Sequence, residues 1–507
     1  MRVRHWIGPA LVAALILGYG IWAAAHLGGT YWDSDEGINL MKARMFQLGY
    51  GLYTEIWADQ PPGLTAALAG VFAAFGPSIE LARGLVLSSA LIGLIGVAWV
   101  AREAGGGWPA AGAAVVFAAT APNFFWASRA VMIGLPALCL STVAIGAALA
   151  YTRTGRRAWL VAAGLLLGLS LTVKLIGAYL VVPFGLAIVL AQRDRRSMRD
   201  ALLGILRDGA LFAIAVAVTW LPIVLAFDAP LMVRQVVGTV SAARGAYTLD
   251  LAWNLDKLGF WLLGDQLALC AAAAYGALVL TARRSSASMV VLAWGATTLV
   301  ALALQTPLWP KHHFLALLVV MAPIAGIGLE DVAQRVWSRR WRSGRDLVWL
   351  ATGAAALAVT LVGVRSAVRA DSLRTQATPY KESGKLPSNQ AYKFQDQATS
   401  LLEANSGPDD FVVTDYNVIA FNANRRLPPE LCVISGKRMA VDELTAADVI
   451  SVTEEYDPAA ILFWSGDRLQ RLPGYREWVE RNYLPAARIG DEFELYVRPG
   501  APSRDGA

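Results

Sequence analysis

The chain has 507 residues, 56% of them hydrophobic and only 16% charged, with a mean hydropathy of +0.47. A soluble chain carries about 25% charged residues. Here the apolar residues instead come in blocks of about 17 to 20, long enough to cross ~30 Å of hydrocarbon, which excludes a soluble globular protein. The net charge of +6 is scattered over short segments rather than one basic face, so nucleic acid is not expected as a partner. Cys139, Cys270 and Cys432 stand far apart with no CxxC spacing and carry no disulfide or metal signal.

Hydropathy predicts spans near 7–26, 81–101, 109–121, 130–151, 158–173, 175–191, 209–227, 261–281, 289–304, 314–330 and 347–364, about eleven in all, the first retained rather than cleaved as a signal peptide. Between the first two, YWDSDEGINLMKARMFQLGYGLYTEIWADQPPG is too polar to span. Within it Ile38, Met41, Met45 and Leu48 recur at helical spacing, which predicts an amphipathic helix lying in the interface. The PPG at 61–63 breaks the chain, and GLTAALAGVFAAFG follows as a second short helix resting on the membrane. Past about 365 the chain turns polar. FVVTDYNVIAF, CVIS and AAILFW read as short β-rich runs separated by helical stretches such as AADVISVTEEY, which predicts a small α/β domain. The fold class is therefore an α-helical polytopic membrane domain over 1–365 followed by a soluble α/β domain over 366–507. Lys and Arg concentrate in alternate loops, which places those loops and the N-terminus in the cytoplasm and puts 27–80, 228–260 and the tail on the opposite face. The Ala-, Arg- and Gly-rich composition points to a bacterial plasma membrane.

Three outward segments remain for chemistry. Asp33, Asp35 and Glu36 follow the first span, with Asp59 later in the same loop. Acidic residues at a helix start serve as caps. Crowded at the rim of an apolar bundle they also repel one another, which raises the pKa of at least one and suits it to a general base. Arg129, Lys174, Lys311, His312 and His313 fall at outward span ends. Cations at that depth need a partner, either a lipid headgroup reached by snorkelling or a bound phosphate. Lys174 interrupts a nearly continuous apolar stretch from Ala158 to Ala191, so it either ends a helix at the interface or is buried and paired. On a helix the adjacent His312 and His313 point about 100° apart and do not chelate one metal from one face. One is expected to face a cavity as a phosphate donor and the other to be structural. A divalent cation between Asp33 and Asp35 is a weak alternative; no cofactor is otherwise required.

The stretch DEGINLMKARMFQLGYGLYTEIWADQPPG resembles the first loop of the GT-C membrane glycosyltransferases of the protein O-mannosyltransferase and aminoarabinose-transferase superfamily, glycosyltransferase family 39. In these an acidic pair opens an interfacial helix, and a further acidic residue precedes a Pro-Pro. SRAVMIGLP at 128–136, GLLLGLSLTVK ending at Lys174 and PLWPKHH before the tenth span extend the likeness over most of the membrane part. The resemblance implies a GT-C fold of about 11 transmembrane helices, with interfacial helices in the first outer loop. It implies Asp35 as the catalytic carboxylate, Glu36 as its partner and Asp59 as the second acidic residue. Many relatives have Lys before the two prolines where this chain has Gln60, an amide that hydrogen-bonds a phosphate without neutralising it. The donor phosphate then falls to Arg129, Lys174, His312 and His313, with Gln60 beside them. Relatives also often place an acidic residue near Gly134.

The implied reaction moves a sugar from a polyprenyl phosphate donor to an extracytoplasmic acceptor, a protein, glycolipid or glycan, by inverting single displacement. Membrane lipids are the other partners, and no nucleotide-binding loop is needed because the sugar phosphate bond stores the energy. The tail is expected to be a lid or acceptor-docking module without catalytic groups of its own. The competing reading is a transporter or flippase of a lipid-linked or anionic solute, which predicts paired broken helices near the midplane. A non-catalytic receptor fits less well, because eleven spans are many for an anchor.

Overall fold

A backbone inside hydrocarbon must satisfy its own N–H and C=O groups, so each apolar block is helical. The computed structural model describes residues 4–28, 33–193, 195, 197–245, 248–264, 266–337, 388–466, 468–489 and 493–500. Its membrane part comprises α1 (Arg4–Ala24), α2 (Ser34–Gln47), α3 (Gly63–Phe75), α4 (Ile79–Glu103), α5 (Trp108–Thr120), α6 (Pro122–Ala127), α7 (Gly134–Thr154) and α8 (Arg157–Val173). A 3-10 segment, Leu175–Leu180, runs into α9 (Val181–Gln192), followed by α10 (Met198–Leu225), α11 (Ala229–Val233), α12 (Val240–Gly245), α13 (Leu251–Leu263), α14 (Leu267–Arg283), α15 (Ser286–Ala303) and α16 (Pro310–Trp337).

Among the described residues seven segments are long and apolar enough to cross a membrane: α1, α4, α7, Leu175–Gln192, α10, α15 and α16. The pair α13 and α14, bent by 95° at its break, makes an eighth if it is one span. The expected span at 261–281 runs through that break. The blocks expected at 109–121 and 158–173 are the shorter helices α5 and α8, of 13 and 17 residues. The expected span at 347–364 and the domain boundary at 365 lie outside the described residues.

One end of the bundle gathers the Arg-rich loops. Arg153 pairs with Glu103 at 2.7 Å, Arg157 with Asp208 at 2.8 Å, and Arg283 donates to the Gly105 carbonyl. The first loop and the tail meet at the other end. There α2 departs from the interfacial helix expected of it. Met41 and Met45 are fully buried, but so are Glu36, Asn39, Lys42 and Arg44 on the flanks and far side of the stripe, while Leu48 is exposed. The tail covers the Gly37 side of the helix, while Arg83 and the Val131 turn take up Glu36 and Asn39.

The tail is a four-stranded mixed sheet in the order β1-β2-β4-β3, with strands Val412–Thr414 (β1), Ala460–Phe463 (β2), Leu484–Ile489 (β3) and Phe493–Val497 (β4). β1 and β2 are parallel and the other pairings antiparallel. AADVISVTEEY is the expected helix, held by a reciprocal capping box between Thr445 and Asp448. The CVIS run is not a strand, and the NVIAF part of the first run is the short helix Asn417–Asn422, which lies on α2. A Cβ on Gly37 would sit 2.5 Å from the Val418 backbone nitrogen, so only glycine allows this approach. Gly37→Ala is expected to lower stability by about 1–3 kcal/mol through overpacking. A reduced unfolding midpoint with earlier proteolytic release of the tail is the expected readout; an unchanged midpoint would show that the contact is not tight.

Candidate functional site

The start of α2 separates the acidic cluster into distinct tasks. Asp33 is the N-cap, and its side chain accepts from the Asp35 N–H at 3.0 Å. The carboxylate is turned back onto the helix. Glu36 is completely buried and meets the buried Arg83 of α4 in a two-pronged pair, Nε to Oε1 at 2.8 Å and Nη2 to Oε2 at 2.7 Å. Oε1 also accepts the Val131 N–H at 2.9 Å. With both oxygens engaged and no exposed surface, Glu36 holds the loop in place. Asp35 is different. Its carboxylate is half exposed, and Oδ2 lies 3.9 Å from His312 Nε2.

The second half of the loop is held by Gln235. Its amide donates to the Tyr53 carbonyl at 2.8 Å and accepts from the Ala58 N–H at 2.9 Å. The Tyr53 hydroxyl donates to the Gln60 carbonyl at 2.8 Å. These bonds present Asp59 and Gln60 to a cavity of about 490 Å³, also lined by Lys174, Tyr179, Gln305, His313 and Lys437. Burial works to raise the Asp59 pKa, but Lys437, Lys42 and the hydrogen bonds from Lys437 and Gln60 outweigh it and hold the carboxyl below its usual range. Lys174 caps the C-terminal end of α8, where a cation complements the helix dipole. A Cβ on Gly134 would come 4.0 Å from its Nζ.

His313 lines the cavity, and its Nδ1 accepts from the Trp309 N–H at 3.1 Å. That bond leaves Nε2 as the N–H donor of the neutral ring. His312 faces Asp35 and packs edge-on to Trp126. The expected division between one cavity-facing histidine and one outside it thus appears with His313 inside. Arg129 does not line the cavity. It is buried over the Phe125 ring, its carbon 3.5 Å from the centroid, and donates to the Phe125 and His26 carbonyls. These contacts fix the turn after α6 against the end of α1.

Residues 59–223 match the family described as dolichyl-phosphate-mannose-protein mannosyltransferase. Comparison with the curated proteins gives no match. Among solved structures, ArnT from Cupriavidus metallidurans bound to undecaprenyl phosphate superposes with a TM-score of 0.66 at 15% identity, covering 97% of this chain and 98% of that one. The chain has the GT-C fold. The archaeal oligosaccharyltransferase AglB from Archaeoglobus fulgidus, in complex with an inhibitory peptide and a dolichol-phosphate, shares the fold at a TM-score of 0.53 and 13% identity, over 95% of this chain and 73% of that one.

Two lysines of this GT-C protein escaped the reading of the sequence. Lys42, on α2, is 1% exposed, and its ammonium has no hydrogen bond or ion pair among the described residues. Asp59 and Asp35 are its nearest charged counterparts, and burial pushes it below the ordinary lysine range. Its signal in the sequence was a lysine flanking an apolar stripe, which in isolation reads as a solvated face. Lys437 sits in the tail and donates to Asp59 at 3.0 Å; nothing in its neighbourhood of sequence marks it. The structural assignment of Glu36 is open to measurement. Breaking one partner of a buried pair costs about 3–5 kcal/mol, so E36Q and R83M are each expected to lower the unfolding midpoint sharply. The double variant is expected to lose less than the sum of the two. Additive losses would show that the residues act independently.

Proposed function

We propose that this GT-C protein is a membrane glycosyltransferase that moves a sugar from a polyprenyl phosphate to an acceptor on the extracytoplasmic face, by inverting single displacement, in a bacterial plasma membrane. The observation that carries the reading is the 490 Å³ cavity. It sets the cations Lys174 and Lys437 and the donor His313 at the junction of the bundle and the tail. An anionic headgroup is the chemistry such a lining recognises. The cavity shares Pro61, Leu175, Val236 and Val237 with a smaller, wholly apolar cleft of about 50 Å³ reaching Trp220 and Val224 on the bundle side, which suits the first part of an isoprenoid tail.

Asp35 is the general base in this reading. Glu36 is locked to Arg83, and Asp59, held below the usual carboxylate range, is the poorer proton acceptor. Asp35 is half exposed, faces His312, and lies within electrostatic reach of both Lys174 and Lys42. It takes the proton of the acceptor hydroxyl as that oxygen bonds to the anomeric carbon. The bond from that carbon to the phosphate oxygen breaks, and the lipid phosphate leaves with the electron pair, stabilised by Lys174 and by the Nε2–H of His313. No cofactor is required. The transporter reading calls for paired broken helices, whereas the described residues contain the single bent pair α13 and α14.

Sugar transfer by the purified protein, from a panel of labelled polyprenyl phosphate sugars to a cell-envelope acceptor fraction, tests this. Asp35→Asn is expected to abolish transfer with folding intact, and more than about a tenth of wild-type turnover would exclude Asp35 as the base. Lys174→Met is expected to weaken binding of undecaprenyl phosphate more than it changes acceptor binding. Equal donor affinity in both proteins would remove Lys174 from the phosphate site.

A further inference from the structure

Among the described side chains that line the cavity, the bundle side sets Lys174 against Asp59, one cation against one carboxylate. From these two alone a phosphate would meet no net positive charge. The second ammonium in the lining is that of Lys437, which belongs to the tail and lies 3.0 Å from Asp59.

Lys437 is also held firmly. It belongs to the short helix Gly436–Ala440, capped by Ser435. The neighbouring Arg438 donates to the Glu430 and Val433 carbonyls, both at 2.9 Å, and lies over the Trp57 ring of the first loop at 4.9 Å. Glu443 closes the same joint, accepting from Trp57 Nε1 at 3.2 Å and from the Thr239 hydroxyl at 2.7 Å. The polar contacts from Trp57, Thr239 and Asp59 to the tail thus bracket one lysine at the cavity.

We infer that Lys437 is a phosphate-binding residue of the donor site, so that the soluble tail supplies part of that site. The inference rests on the glycosyltransferase reading and deepens it: the ligand is the phosphate of a lipid-linked donor, and Asp59 occupies the ammonium until that phosphate arrives. When the phosphate binds, Lys437 shares its three N–H donors between Asp59 and a phosphate oxygen, and the cavity carries the net positive charge that the anion needs. The tail is then an integral half of the site rather than a lid without functional groups.

The test uses the full-length protein in nanodiscs, with undecaprenyl phosphate and uncharged undecaprenol as probes and tryptophan fluorescence or thermal stabilisation as the readout. The wild type is expected to prefer the phosphate. K437M is expected to weaken phosphate binding about 10-fold, or about 1.4 kcal/mol, with undecaprenol binding unchanged and K437R retaining most of the affinity. D59N, which removes the competing carboxylate but keeps the lysine, is expected to leave phosphate affinity equal or tighter. A role confined to docking the tail predicts the opposite, with K437M and D59N weakening both probes alike, and that result would overturn the inference. Equal phosphate affinity in K437M and wild type, with K174M still impaired, would also overturn it while leaving the glycosyltransferase reading intact. No preference of the wild type for phosphate over undecaprenol would remove that reading itself.

Discussion

The buried pair between Glu36 and Arg83 fixes the geometry on which the rest of the site depends. Two charges removed from water are tolerated only where the pairing is well formed and the remaining lone pairs are used. Here two parallel bonds join the side chains, the Val131 N–H fills another acceptor position, and Arg83 also reaches the Leu27 carbonyl. The pair thereby ties α2 to α4, to the turn after α6 and to the exit of α1. Asn39, one helical turn on, donates to the Val131 carbonyl at 2.9 Å and repeats the same tie. Because α2 cannot roll, Asp35 is kept out of the core, Lys42 is kept in it, and Gly37 is left as a flat landing point for the tail.

From that landing point the two halves of the protein become one surface. The tail meets the first loop through an apolar contact, with Val418 on Gly37 and Phe421 against Phe72, and through a polar one, in which Arg468 donates to the Ser34 hydroxyl at 3.1 Å and Lys437 to Asp59. The apolar part supplies area and the polar part fixes register, since each buried donor must find its acceptor. A tail attached only by a flexible linker would place no side chain reproducibly. This one is seated over the cavity by contacts along the length of the loop.

How much of this the sequence disclosed depends on the range of the interaction. Helices signalled by long apolar runs were legible, as was the sharp change to a polar α/β tail. Lys174 stood out because it interrupts hydrocarbon, and it does end a helix at the cavity. The acidic cluster was found but misread: three carboxylates close in sequence look like three that repel one another, whereas the helix start sends Asp33 to a backbone N–H, Glu36 to Arg83 and Asp35 to the rim. Arg83 lies 47 residues from its partner, and Lys437 lies 378 residues from Asp59. No local pattern encodes either meeting. The close approach at Gly37 of α2 has the same cause, because Val418 comes from the far end of the chain.

The two departures from the pattern of the resembling family, one in the first loop and one at the start of α7, bear on one quantity, the charge of the cavity. Gly134 stands where relatives often carry an acidic residue, and a side chain there would begin 4.0 Å from the Lys174 ammonium. Gln60 stands where many relatives carry a lysine. The first change removes a negative charge beside Lys174, and the second removes a positive one beside the prolines. Together they leave the sum unaltered while moving its parts. The carboxylates that act on Lys174 here are Asp59 and Asp35 of the first loop, and the cation beside Asp59 is Lys437 of the tail. Net charge sets whether an anionic headgroup is held at all, so the site can exchange the positions of its charged groups more readily than it can lose one. At the glutamine, where many relatives carry a lysine next to the acidic residue, the ammonium that meets Asp59 comes instead from the far end of the chain.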